Sequence, residues 1–101
     1  MVIKIKQGDS DTLTEPIEGL SSLSGYTAKL YIKTLAGVEV DTITGSIVAL
    51  VVTYEIVNDD SQDYPIGAHD YESKIFDVSD HVYTTSKDKF IVEKATENNP
   101  S

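Results

Sequence analysis

No cysteine occurs among the 101 residues. That absence removes a disulfide scaffold, a thiol nucleophile and any Cys-based zinc site. Arginine is missing too. All eight basic residues are lysine, set against 17 acids, for a formal charge of −9. Neutralising phosphates supplies much of the affinity for nucleic acid, so no nucleic-acid partner is expected of such a chain. There is no tryptophan to build a stacking surface for sugars. No apolar run approaches the roughly 20 residues that cross a bilayer, so no membrane partner is expected. The opening Met1-Val2-Ile3-Lys4-Ile5-Lys6 alternates with lysine and lacks the apolar centre of an export signal. The expectation is a chain made in the cytoplasm without a signal peptide. Helical periodicity of useful length is absent as well.

What is present is alternation. Residues 26–33 place Tyr26, Ala28, Leu30 and Ile32 on one side and Thr27, Lys29, Tyr31 and Lys33 on the other, the pattern of a half-buried strand. Residues 68–77 alternate likewise, with His69, Tyr71, Ser73 and Ile75 on one face. Residues 47–56 are dense in β-branched and aromatic types and contain neither Gly nor Pro, which predicts one ten-residue central strand. Short strands are expected at 3–6, at 11–17 (an edge, broken by Pro16), at 38–43, at 81–84 and at 89–93. Turn residues recur between them at a spacing of roughly ten. The reading is a single all-β domain over 1–94, an antiparallel sandwich of seven or eight strands, followed by a flexible polar tail at 95–101. Its expected core is Leu30, Ile32, Leu50, Val52, Tyr71, Ile75, Phe90 and Val92.

Catalytic and metal chemistry finds no pattern here. His69 and His81 are the only histidines and are not in ligand spacing, so His69 reads as a core histidine. No serine sits in a Gly-x-Ser-x-Gly context. The polar stretch Asn58-Asp59-Asp60-Ser61-Gln62-Asp63 lacks the Gly and Glu of a calcium loop and reads as a cap or a solvated turn. No enzyme activity, metal or cofactor is expected. Between Lys33 and Lys74 there is no other cation, and that span carries eight acids. Lysines with one outward tyrosine therefore mark the candidate interface: Lys4, Lys6, Lys29, Tyr31 and Lys33. If their two strands share a sheet, the molecule should be electrically lopsided.

Three landmarks carry a resemblance. One is the lysine-flanked opening strand running into Gly8-Asp9. Another is Leu23-Ser24-Gly25-Tyr26-Thr27-Ala28-Lys29-Leu30-Tyr31-Ile32-Lys33 with the hairpin at Ala36-Gly37. The last is Tyr64-Pro65-Ile66-Gly67-Ala68-His69-Asp70-Tyr71-Glu72 with the closing Lys89-Phe90-Ile91-Val92. In this order they resemble the immunoglobulin-like N-terminal domain of phage baseplate upper proteins and related short tail and fibre-associated proteins. His69 and Ser73 depart from that pattern, standing where an aromatic and an aliphatic are expected. The resemblance implies an immunoglobulin-like sandwich and a non-enzymatic structural role in the virion, in tail, baseplate or fibre. Its partners would be other virion proteins, and a trimer the expected homo-oligomer. The alternative reading is a carbohydrate-binding or adhesion sandwich at the host cell surface, which would need two or three coplanar exposed rings.

Overall fold

The computed structural model describes residues 2–94. They form eight strands and one helical turn: β1 (Ile3–Lys6), β2 (Asp11–Pro16), β3 (Thr27–Thr34), β4 (Glu39–Thr44), β5 (Ser46–Val48), β6 (Val51–Ile56), α1 (Asn58–Ser61), β7 (Gly67–Phe76) and β8 (Val82–Glu93). Two sheets result, ordered β1-β8-β7-β3-β4 and β2-β6-β5. This is the all-β sandwich that the alternation implied, and its immunoglobulin-like form is what the resemblance implied. One pairing departs from the antiparallel expectation, since β1 runs parallel to β8 with Ile3 opposite Phe90 and Lys6 opposite Glu93.

The core lies between the sheets. Ala28, Leu30 and Ile32 of β3, Tyr71 and Ile75 of β7, and Phe90 and Val92 of β8 face Val52, Tyr54 and Ile56 of β6, and all are buried. Burying each large aliphatic side chain contributes about 1.5–3 kcal/mol relative to leaving it in water. The chain passes from one sheet to the other at Gly45, whose N–H donates to Ala28 O at 2.9 Å. A Cβ there would lie 2.8 Å from the Tyr54 ring, so the close approach requires glycine.

Three sequence expectations are corrected. Residues 47–56 do not form one strand: they fold back at Ala49-Leu50, so that Val48 pairs with Val51. Apolar content cannot reveal a reversal that lacks Gly, and Ala49 takes it with a positive φ of 52°. Leu50 consequently sits in the turn, only partly buried against the core. Residues 81–93, expected as two pieces around a turn at 86–88, make the single long strand β8. It follows β7 along its whole length and absorbs Thr85 as a bulge where Ser73 pairs with Ser86 and Lys74 with Thr84. In α1 the N-cap is Val57, without a side-chain cap bond, while Asp59 and Asp60 lie in the first turn. The tail expected at 95–101 lies outside the described residues.

His69 is buried on the inner face of β7, as the alternation implied, and its Nε2 lies 2.7 Å from Pro65 O. A carbonyl only accepts, so Nε2 carries the proton and Nδ1 is left as an acceptor without a partner among the described residues. In immunoglobulin domains a tyrosine at the start of the corresponding strand bonds back to upstream backbone in the same way. Histidine does that work here.

Candidate functional sites on a lysine face and an open edge

The five candidate interface residues share the outer face of the larger sheet. Ile3 and Ile5 point inward, so Lys4 and Lys6 point out; Leu30 and Ile32 point inward, so Lys29, Tyr31 and Lys33 point out. The two groups are not adjacent, because β8 and β7 run between them. Those strands add Lys87 and Lys89 and Lys74 to the same face. Seven of the eight lysines therefore stand on one sheet surface, shared with four acids, Glu39, Asp70, Glu72 and Glu93. The other described residues carry Lys94 and twelve acids.

Part of this basic surface is internally paired. Lys89 Nζ reaches Asp70 Oδ1 at 2.7 Å, and Lys74 and Lys87 lie 3.3 and 3.8 Å from the Glu72 carboxylate. Lys4, Lys6, Lys29 and Lys33 have no ion pair among the described residues. Lys29 lies directly opposite Lys74 across the β3–β7 pair, an arrangement of like charges that costs stability. A depression of about 180 Å³ lined by Tyr31, Lys33, Glu72, Lys74, Phe76 and Val82 indents the face.

A second site was not legible in the sequence. β1 covers β8 only from Phe90 to Glu93, and the stretch of β8 from Val82 to Lys89 has no strand on its outer side among the described residues. β2, the edge of the smaller sheet, has β6 on one side only. Both open edges border a cleft of about 360 Å³ lined by Ile3, Leu13, Leu30, Tyr54, Tyr71, Ser73, Ser86 and the run from Thr12 to Pro16. A neighbouring cleft of about 420 Å³ shares Glu15 and Pro16 and continues past Ile17, Glu18 and Leu20 to Tyr83 and Thr85.

Glu15 is the centre of this groove. It alternates inward with Leu13, and its Oε1 accepts from Ser73 Oγ at 2.8 Å and from Thr85 Oγ1 at 2.7 Å. Tyr54 Oη lies 2.7 Å from Ser73 Oγ, and because the serine proton goes to Glu15 the phenol is the donor. Oε2 makes no hydrogen bond among the described residues. Burial pushes the Tyr54 phenol above its ordinary pKa, with the Glu15 charge acting in the same direction. Tyr71 is raised in the same way, by burial first and then by the Asp88 and Glu15 charges. The result is a set of neutral hydroxyls around one carboxylate on apolar walls. Neither histidine hydrogen-bonds to these hydroxyls, so no serine here has an imidazole base. No group of three or more His, Cys, Asp and Glu among the described residues could hold a metal ion.

Tyr83 lies opposite Ile75 beside the groove mouth and tilts against Tyr26 at 6.5 Å and 35°. That pair is not a coplanar platform of the kind the carbohydrate-binding alternative requires.

No protein-family profile and no curated protein matches the chain. Among solved structures it is similar to CopC from Methylosinus trichosporium OB3b, with a TM-score of 0.57 and 11% identity over 94% of this chain and 86% of that one. At such identity the likeness concerns the fold. It leads away from a phage virion, and the role in tail, baseplate or fibre is corrected accordingly. The landmarks behind that role serve the sandwich itself. Gly8-Asp9 turns the chain out of β1, with Asp9 N bonded to Lys6 O at 3.0 Å. Tyr64-Pro65-Ile66-Gly67 builds the corner into β7, where Pro65 O meets His69. Any sandwich of this topology needs such turns.

Proposed function

We propose that the chain is a non-catalytic interaction module whose lysine-bearing sheet face docks on the acidic surface of a second copy. The observation that carries this reading is the segregation of seven lysines onto one face while the other described residues hold twelve acids. Complementary charge steers and orients such a contact. Tyr31, half-buried among the lysines, supplies an amphipathic ring of the kind that anchors interfaces. The contact is head-to-tail, so the number of copies depends on the rotation at each step. The threefold symmetry of a fibre part lapses with the virion role.

The test is sedimentation equilibrium across a salt series. Association should appear at low ionic strength, weaken as salt screens the surface charges, and disappear in Lys29→Glu with Lys33→Glu. The first change places a glutamate opposite Lys74, whereas the second sets one between Asp70 and Glu39, so the variant's far-UV circular dichroism and Tm are compared with the parent's before its association is read. A monomer under all conditions, or association that the double change leaves intact, overturns the proposal.

A further inference from the structure

The groove between the sheets lies apart from the lysine face. We propose that it accepts an extended, cationic segment of a partner polypeptide, which adds as a strand along the open edge of β2 and sets a lysine or arginine against Glu15.

Four observations converge on that occupant. Consecutive β2 residues from Thr12 to Pro16 line the groove, so its wall is a strand edge rather than a set of scattered side chains. Facing it, β8 from Val82 to Lys87 has no strand on its outer side among the described residues. Open edges of this kind present unpaired backbone groups to an incoming strand. Inward positions of β8 change character at the same boundary: Phe90 and Val92 are buried beside β1, whereas Ser86 and Thr85 beyond it are partly exposed and polar. Lastly, the charged side chains lining the two clefts are Glu15 and Glu18, both acidic. Glu15 holds its hydroxyl partners on Oε1 alone, which leaves Oε2 for a cation. The apolar wall of Leu13 and Leu30 gives the alternate side chains of an added strand something to bury against.

The experiment is a titration of isotope-labelled protein, followed by amide shifts, with a short capped peptide alternating valine and threonine around a central lysine. A second peptide carries glutamate at that place. The lysine peptide should shift amides of residues 12–15 and 84–88, and the glutamate peptide should not. Glu15→Gln keeps an acceptor for Ser73 and Thr85 and should weaken the lysine peptide by about tenfold, as expected for losing one charge-assisted contact. Because the peptide pair is compared on the unaltered protein, the result does not depend on the variant folding. The proposal is overturned if both peptides act alike, if shifts gather on the lysine face, or if neither peptide binds. Self-association lost in Glu15→Gln would place a second copy in the groove and overturn it as well.

Discussion

Tyr54 Oη and Ser73 Oγ meet at 2.7 Å between the two sheets, so a side chain of the smaller sheet is bonded directly to one of the larger. Ser73 also serves Glu15, and Thr85 closes the set at 3.0 Å from Ser73 Oγ. Tyr54→Phe removes one donor and leaves the serine its other partners, at a cost of about 1 kcal/mol. Ser73→Ala strips a buried phenol of its acceptor and should cost more, about 1–3 kcal/mol. Urea unfolding of the two variants gives the order. The reverse order would mean that the network does not hold the sheets.

Leucine truncations separate core from turn. Leu30 is 1% exposed and faces the opposite sheet, so Leu30→Ala should cost about 2–5 kcal/mol. Leu50 is only partly buried in the β5–β6 turn, and Leu50→Ala should cost about half as much or less. Comparable losses in chemical denaturation would contradict the placement of Leu50.

Ala49 holds φ at 52°, a left-handed conformation that L side chains adopt at a cost. Ala49→Gly should relieve it, with the added freedom of the unfolded chain offsetting part of the gain. A net stabilisation of a few tenths to about 1 kcal/mol is expected, read as a rise in Tm of a few degrees. Ala49→Val should move Tm the other way, since a branched side chain tolerates positive φ least.

Alkaline pH should unfold the protein through its tyrosines. Burial raises Tyr64 above its ordinary value of 10.0, and the hydrogen bond to Asp41 and that carboxylate's charge push it further the same way. Tyr54 and Tyr71 are raised too. In the unfolded chain these phenols lose their protons first, so above about pH 10 the folded state binds more protons than the unfolded one. Stability is then fully present below pH 10 and falls as pH rises beyond it. Denaturation midpoints through this range should decline, and the decline should be shallower in Tyr64→Phe. A flat profile would contradict the burial of these rings.

Much of the fold was legible because a strand writes its two faces into the chain with period two. Residues 26–33 and 68–77 are oriented as their alternation required, and even His69 and Ser73, polar residues in an inward row, are buried. The same alternation placed Lys4, Lys6, Lys29, Tyr31 and Lys33 outward. The groove was hidden for a matching reason. Glu15 alternates like any edge residue, and its partners Ser73 and Thr85 are 58 and 70 positions away.

Composition and periodicity by themselves determined an all-β chain without thiol chemistry, the inward and outward side of its clearest strands, and an uneven distribution of charge. These are local properties, set by each residue's side-chain shape and by the two-residue repeat of an extended backbone. Tertiary structure alone decided which strands become neighbours: that β1 lies parallel to β8 opposite Phe90 to Glu93, that residues 47–56 fold back at Ala49, and that β2 and β8, among the described residues, leave edges open around Glu15. Pairing depends on how two apolar faces close over a common core, a contest among distant segments that no short window of sequence contains.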